Sequence, residues 1–310
     1  MPNSEHAGDP SNHPVGGSAG PGRPINELAC ALSGTDEPDI HVTTAAEGLT
    51  WLHRYEDEGD EATLVKGMTC LQRCLAEAPD HPDRYRWQLW LGIGQAERGR
   101  RLGRITDYHE SIDQIADLYV QTPPADQLRE RIAKTLIDLC CDRLLLLRRD
   151  EPEEPMSPDP VLALIIRVTP LLTSANPDAR SHARVVTGLA HLERYELTGE
   201  RADLDRGVDL LAAATWDLEP GTTVLARVGG ELANGLRRQG ILDGDPGLLE
   251  QAVNAATRAI QDGDPDDEGS RSLLYLYRAY AQEARWQVTD DTADLRAALV
   301  AWRTASVRTN

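Results

Sequence analysis

Apolar residues recur along this chain at the spacing that places them on one face of an α-helix. Three stretches show the pattern clearly, at i, i+4, i+7 and neighbouring offsets: Leu64, Met68, Leu71, Cys74 and Leu75; Leu204, Val208, Leu211 and Ala214; and Leu295, Leu299, Trp302 and Ala305. Each stretch predicts an amphipathic helix with one buried stripe. Leu and Ala dominate the apolar residues and Phe is absent, which favours helix over strand. The pattern therefore predicts an all-α protein.

The predicted helices come in pairs that are separated by turns rich in Pro and Asp. Such turns stop one helix and cap the next. A short helix over 25–32 and a longer one over 42–58 begin the series. Five fuller pairs and a single last helix follow, at 61–77 with 83–99, 106–120 with 125–148, 159–173 with 178–197, 202–217 with 222–239, 246–261 with 268–287, and 292–307.

A short signature opens most of these pairs. It contains a Gly or Asp, an acidic residue, two spacers, a polar or acidic residue and an apolar residue. The copies begin at Gly59, Gly103, Gly199, Gly244 and Asp290, and the copy at Gly103 is weaker. The intervals are 44, 96, 45 and 46 residues, and 96 corresponds to two units with one degraded copy between them. A period near 45 residues predicts stacked helix pairs, which is an α-solenoid.

Two other positions recur at fixed distances before the signature. Four residues before it lies an aromatic residue in three copies, Tyr55, Tyr195 and Trp286. Eleven residues before it lies a small residue in five copies: Gly48, Gly92, Gly188, Ala233 and Ala279. Small residues let neighbouring helices approach closely, and the aromatic residues are expected to fill space between helices. The alternative interpretation is a row of aromatic residues that stack on a ligand.

The predicted organisation has four parts. Ten of the first 24 residues are Gly or Pro, which predicts a disordered tail over 1–24. Helical repeats then occupy 25–150 and 161–310. Between them, 151–160 is an acidic, Pro-rich connector, which is either a hinge between two halves or a plain insertion.

Charge and cysteine content exclude several classes of function. The net charge of −19 argues against nucleic acid as a partner, because phosphate binding depends on Lys and Arg. The longest apolar runs, 144–147 and 161–166, are too short to cross a bilayer. Five cysteines without a disulfide-framework spacing, and an N-terminus without an apolar segment, predict a reduced cytoplasmic protein.

Four arginines lie close together at Arg98, Arg100, Arg101 and Arg104. At the end of a predicted helix, their charges complement the negative end of the helix dipole. The alternative is a docking site for an acidic partner, and we keep these residues as candidates for partner binding.

Two acidic strings match motifs of all-helical enzymes. Residues 290–294 read DDxxD, the motif with which class I terpene synthases hold magnesium on a diphosphate, and 264–267 read DxDD, as in class II cyclases. However, the first string occupies the same repeat positions as 59–63, where the acidic residues are expected to cap a helix. The second lies in a turn between helices. We predict capping for both strings and no catalytic residue.

The cysteines do not form a metal site by spacing. Cys70 and Cys74 are one helical turn apart and supply two ligands, whereas zinc requires four. Cys140 and Cys141 cannot face one site from a helix. We interpret all four as small core residues and predict neither a metal nor a cofactor.

The units from Thr43 onward resemble the tetratricopeptide-like (TPR-like) repeats of actinobacterial proteins that carry a caspase-like CHAT peptidase domain. The resemblance is carried by elements such as 59–64 and 199–204, which join two helices, and by loops such as 80–84. It implies a right-handed superhelix whose concave face binds peptides or partner domains. It does not imply protease activity, because no His and Cys pair lies in a strand-rich context.

Together these patterns predict a non-catalytic scaffold that binds a protein or peptide partner through its concave surface. One alternative is a regulatory or sensor subunit whose effector, a CHAT-type protease or another enzyme, is encoded separately. In that case the apolar face of Leu295, Leu299 and Trp302 is available to another domain. A further alternative is an all-α enzyme that uses an Asp-rich motif.

Overall fold

The computed structural model describes residues 39–149, 158–218, 222–262 and 268–307. All regular elements in these ranges are helices. The predicted tail over 1–24, the predicted helix over 25–32, Cys30, most of the connector and the DxDD string over 264–267 lie outside the described residues.

Twelve α-helices lie in the described ranges. They are α1 (Ile40–Glu58), α2 (Glu61–Glu77), α3 (Arg84–Leu102), α4 (Ile105–Gln121), α5 (Leu128–Arg149), α6 (Asp159–Val168), α7 (Pro177–Thr198), α8 (Arg201–Thr215), α9 (Thr223–Asp243), α10 (Pro246–Asp262), α11 (Glu268–Thr289) and α12 (Thr292–Val307). These bounds confirm the all-α prediction and the predicted helices from 42–58 onward. The predicted helix over 159–173 is interrupted: after Val168 it continues as a 3-10 helix, Thr169–Thr173, in which Pro170 lacks the N–H that an α-helix requires.

The described residues divide into two compact units, one that ends at residue 80 and one that begins at residue 81. In the first unit α1 packs on α2. In the second unit each helix from α3 to α12 packs on the next helix in sequence, and α5 with α7 and α9 with α11 also make contact. One apolar core extends from Leu89 to Ala281, so it includes residues on both sides of the predicted connector. Packing between successive helix pairs is that of an α-solenoid. The handedness of the superhelix and the division at 151–160 stay predictions.

Each complete signature begins at a residue with left-handed backbone conformation that ends a helix. We call the helix before this residue a second helix (α1, α3, α7, α9 and α11) and the helix after it a first helix (α2, α4, α8, α10 and α12). The positive φ values are 69° at Gly59, 64° at Gly103, 70° at Gly199, 61° at Gly244 and 58° at Asp290. Glycine adopts this conformation without steric cost, and it lets a new helix start at once in another direction.

Small residues allow each second helix to cross the following first helix at close range. A Cβ atom added to Gly67 would lie 2.8 Å from the carbonyl oxygen of Gly48, and one added to Gly207 would lie 3.1 Å from that of Gly188. In a third crossing the Ser111 hydroxyl donates to the Gly92 carbonyl over 2.7 Å. The equivalent residues elsewhere are also small and buried: Ala233 and Ala252, and Ala279 and Ala298. The small residue eleven positions before the start of the signature therefore packs against another small residue, eight positions after the start of the signature. The sequence analysis missed this second small residue.

The predicted buried stripe is confirmed in α2 and α8 but wrong in α12. Leu64, Leu71, Leu204 and Leu211 are at most 2% exposed, whereas Leu299 is 61% and Trp302 is 42% exposed. In α12 the buried stripe is formed instead by alanines, Ala298, Ala301 and Ala305. Because alanines fill the contact with α11, the larger apolar residues of α12 point outward.

Replacing Asp290 with glycine should stabilise the protein by about 0.5–1 kcal/mol, because the left-handed conformation costs free energy for a residue with a Cβ atom. The free energy of unfolding in urea measures this effect. The reverse change at the equivalent position, Gly199→Asp, should be destabilising by a similar amount. An Asp290→Gly variant with unchanged or lower stability would contradict this account of the junction.

Candidate functional site

The three acidic residues of the DDxxD string have three separate structural roles. Asp290 is the left-handed residue that ends α11, and the Asp291 carboxylate accepts from the Ala293 N–H over 2.9 Å, which caps α12. Asp294 does not cap the helix, and in this respect the sequence-based prediction was wrong. It is 5% exposed and accepts from Arg285 Nε over 2.9 Å. Each of the three residues thus has a role in the fold, through the backbone at Asp290 and through the carboxylate at Asp291 and Asp294.

The ion pair of Asp294 with Arg285 recurs in other repeats. Arg98 pairs with Asp107 over 2.8 Å, and Arg194 pairs with Asp203 over 3.0 Å. In each copy the arginine precedes the aspartate by nine residues and joins a second helix to the next first helix. Hydrogen bonding to Asp294 raises the pKa of Arg285. In these copies, the last acidic residue of the signature therefore forms an ion pair that connects two helices.

In the described ranges, no group of three or more His, Cys, Asp and Glu residues is placed to hold a metal ion. Cys74 and Cys140 are fully buried, and Cys70 and Cys141 are partly buried. Burial raises the pKa of Cys74 and of Cys141 to about 11, which disfavours the thiolate that a metal would require.

Most of the arginine cluster is engaged within the protein. Arg98 pairs with Asp107, while Arg100 and Arg101 both pair with Glu97, over 2.7 and 3.0 Å. These arginines hold the pKa of the Glu97 carboxyl below its usual value against the effect of burial. Arg104 is exposed at the start of α4. A role for this cluster in partner binding stays a prediction, and its intramolecular pairs reduce the charge that it offers.

An open groove lies between two first helices, α8 and α10, and we call it the α8–α10 groove. Its volume is about 480 Å³, within the range of small-ligand sites. The intervening second helix, α9, provides an apolar floor of Leu225, Gly229, Leu232 and Leu236. The arrangement follows from the repeat, because equivalent helices of neighbouring units line its two sides.

The walls of the groove carry polar residues at helical spacing. Gln251, Asn254 and Arg258 follow one another along the exposed side of α10, and Asp209 faces the groove from α8. Gln251, Asn254 and Asp209 make no hydrogen bond or ion pair with another residue in the described ranges. Side-chain amides both donate and accept, so the two on α10 are suited to an extended peptide backbone.

A tryptophan marks one end of the groove. Trp216 follows α8 directly and is 77% exposed. The Arg258 guanidinium lies 5.4 Å from the centre of its ring and also pairs with Asp262 over 3.1 Å. Arg258 is thus held in place by two partners, whereas Asp209 is unpaired among the described residues. The uncompensated charge of the groove is negative.

A network of polar residues holds α8 against α9 beside the groove. Arg201 donates to both carboxylate oxygens of Asp243 over 2.8 Å and to Asp205 over 2.7 Å. Gln239, which lines the groove, donates to the same oxygen of Asp205 over 2.6 Å. These hydrogen bonds raise the pKa of Arg201 and lower that of Asp243. The two helices are therefore connected before any ligand binds.

A smaller cavity of about 210 Å³ lies between the second helices α7 and α9. Acidic residues line it, namely Glu193, Glu196 and Glu231, together with Arg238 and Tyr277. Arg238 pairs with Glu196 and stacks on Tyr195. Since Arg238 and Glu196 already bond to each other, this cavity is a weaker candidate than the α8–α10 groove.

The C-terminal helix presents a second exposed apolar region, which we call the α12 surface. It consists of Leu295, Leu299 and Trp302, with Tyr280 of α11 beside them. Leu295 is half-buried, and the rings of Tyr280 and Trp302 meet edge to face with centres 5.7 Å apart. The structure thus brings together the three apolar residues that the sequence marked as candidates for partner binding. Their role in binding stays a prediction.

Comparisons with known proteins show no family for this chain. No protein-family model matches the chain, and no curated protein matches it. Among solved structures, it is similar to a putative kinesin light chain from Podosopora anserina with nearly identical TPR-like repeats, at 15% identity, 89% coverage of this chain, 99% of that chain and a TM-score of 0.32. A de novo designed helical repeat protein matches at 14% identity over 81% of this chain and 95% of its own, with a TM-score of 0.19. None of these supports a CHAT relationship, which stays a prediction.

None of the helices in the described ranges is both long enough and apolar enough to cross a bilayer.

Replacing Asp294 with asparagine should lower the free energy of unfolding by about 2 kcal/mol, because it removes the carboxylate that pairs with the partly exposed Arg285. Asp291→Asn is the matched control, since asparagine caps a helix as well as aspartate does. Urea denaturation of both variants measures the difference. A rise in the melting temperature of the wild type with magnesium, lost in Asp294→Asn, would contradict the structural role.

Proposed function

We propose that this protein is a non-catalytic scaffold that binds an extended peptide segment of a partner protein in the α8–α10 groove. The observation that carries the proposal is the line of unpaired amides, Gln251 and Asn254, beside an apolar floor. The amides bind the peptide backbone, and the leucines of α9 receive apolar side chains. Trp216 adds a large contact area that is ordered at low entropic cost, as is typical of interface residues that dominate affinity.

Charge complementarity specifies the peptide further. Asp209 is the unpaired charge of the groove, while Arg258 is already held by Asp262 and Trp216. A basic side chain of the peptide therefore gains a partner on entering the groove, whereas an acidic one meets repulsion. The preferred ligand is a segment that alternates apolar residues with at least one Lys or Arg.

The cysteines support a reducing location for this function. The four cysteines in the described ranges are free, and two of them are fully buried. Since cytoplasmic proteins keep their thiols reduced, we place the protein in the cytoplasm as part of the proposal.

The regulatory alternative is favoured by a different observation, the exposed α12 surface. A scaffold that binds a peptide in the groove and a second protein on α12 could connect a signal to a separately encoded effector. This alternative requires the groove as well, so it extends the main proposal and does not compete with it.

Selection of peptides from a random library on the full chain tests the groove. Selected peptides should be apolar and basic, and Trp216→Ala or Asn254→Ala should weaken their binding about tenfold, because each removes a central contact. Fluorescence anisotropy of labelled synthetic peptides measures the affinity. Asp209→Asn should weaken only the peptides that contain Lys or Arg.

Thr69→Ala provides the matched control, because Thr69 occupies the repeat position of Asn254 on another first helix and is equally exposed. It should bind the peptides as the wild type does. Selected peptides that are acidic, or that bind Trp216→Ala and Asn254→Ala with wild-type affinity, would show that the groove is not the binding site.

A further inference from the structure

We propose that the α12 surface binds a single amphipathic helix of a partner protein, which carries a small residue at its centre and acidic residues along its edge. The inference is independent of the groove, because no residue of the α12 surface lines it. It is supported by what covers the equivalent surface in earlier repeats and by the charges beside it.

The internal repeat shows how this surface is used elsewhere in the chain. Leu299 occupies the position of Ile112 in α4 and Val208 in α8, which are 2% and 6% exposed. Trp302 occupies the position of Ile115 and Leu211, which are fully buried and lie close to Gly92 and Gly188 of the preceding second helix. In both cases the helix that follows in sequence packs on the first helix: α5 packs on α4, and α9 packs on α8. The position of Leu299 at the centre of the α12 surface is thus one that the following helix covers in α8, where Val208 lies against Gly235 of α9.

The helix that covers the equivalent position in another repeat indicates which residues the partner helix needs. A Cβ atom added to Gly235 of α9 would lie 2.7 Å from Cγ2 of Val208, so only a very small residue fits there. The equivalent residues of α3, α7 and α11 are also small and buried, namely Gly94, Ala190 and Ala281, whereas α1 has the exposed Thr50. A helix that covers Leu299 therefore needs glycine or alanine opposite it and larger apolar residues on either side.

Two arginines determine the preferred charge of the partner. Arg296 and Arg303 lie three residues before and four residues after Leu299, on the exposed side of α12. Neither makes an ion pair with another residue in the described ranges. Acidic residues along the edge of the incoming helix complement both. A second copy of the same surface would bring like charges together, which disfavours self-association.

Another residue distinguishes α12 from the other first helices. Val300 is 62% exposed, and the equivalent residues of the earlier first helices are polar and exposed: Thr69, Asp113, Asp209 and Asn254. Because α12 has valine where the other first helices have a polar residue, its exposed apolar area extends beyond Leu299. This extension is expected for a surface that is covered when the partner binds.

Two synthetic helical peptides of about 20 residues, long enough to form a helix, test the proposal on the full chain. They share one face of alanine and leucine and differ only in edge residues, which are Glu in one and Lys in the other. Fluorescence anisotropy of the labelled peptides measures binding. The Glu peptide should bind at least about tenfold more tightly than the Lys peptide, because only the former complements Arg296 and Arg303.

Three variants locate the binding. Leu299→Asp should abolish binding of the Glu peptide, and the double variant Arg296→Glu with Arg303→Glu should reverse the preference in favour of the Lys peptide. Because both arginines are exposed, the double variant keeps the test valid even if Leu299→Asp affects folding. Val120→Asp is the control, since Val120 is 66% exposed on α4, and it should bind as the wild type does.

Four results would overturn the proposal: neither peptide binds, both bind equally, the double variant keeps the wild-type preference, or Leu299→Asp binds normally. Analytical sedimentation of the wild type without peptide tests whether a second copy of the chain occupies the surface. A dimer that Leu299→Asp converts to monomer would assign the surface to a second copy of the chain and would also overturn the proposal. Any of these results would leave the groove experiment unaffected.

Discussion

The close crossing between each second helix and the following first helix is the constraint on which the rest of the structure depends. At Gly48 and Gly67 the two backbones approach so closely that a Cβ atom on Gly67 would lie 2.8 Å from a carbonyl oxygen. Ridge-and-groove packing of larger residues would hold the helices farther apart. Because the crossing recurs with Gly, Ser or Ala in every complete copy, it sets a common geometry for the junctions. The left-handed residue recurs at each of these five junctions, and an Arg–Asp ion pair adds to three of them.

A constant junction leaves the outward positions of the first helices free to vary, and this freedom produces the binding surfaces. Ten residues after the start of the signature, the exposed residue is Asp209 in α8, Asn254 in α10 and Val300 in α12. The first two line the α8–α10 groove, and the third extends the α12 surface. One repeat position thus provides a charge, an amide and an apolar side chain on the same framework. The fold is preserved because none of these side chains takes part in the crossings.

The sequence alone predicted the helices and their pairing, since apolar periodicity and turn residues are local signals. It also identified the small residue at Gly188, but not its partner Gly207, because the pairing of two distant small residues depends on the crossing geometry. Asp294 was misread as a cap, since an acidic residue in a first turn has the same local pattern whether it caps the helix or pairs with an arginine nine residues earlier. The α8–α10 groove could not be predicted because Trp216, α9 and α10 come together only through the stacking of two units. In α12, Leu299 and Trp302 fit a buried stripe by period alone, and the neighbouring alanines proved to be the contact residues.

The stability of Gly67→Ala is the most direct test of the close crossing. Alanine is a better helix former than glycine by about 1 kcal/mol, so helix propensity alone predicts a more stable protein. The crossing predicts the opposite sign, because the added methyl group meets the Gly48 carbonyl oxygen and the Leu52 side chain, and overpacking of this kind costs about 1–3 kcal/mol. Urea denaturation followed by circular dichroism should therefore show a lower free energy of unfolding for Gly67→Ala than for the wild type. An equal or higher value would contradict the account, because it would mean that the helices do not depend on this close approach.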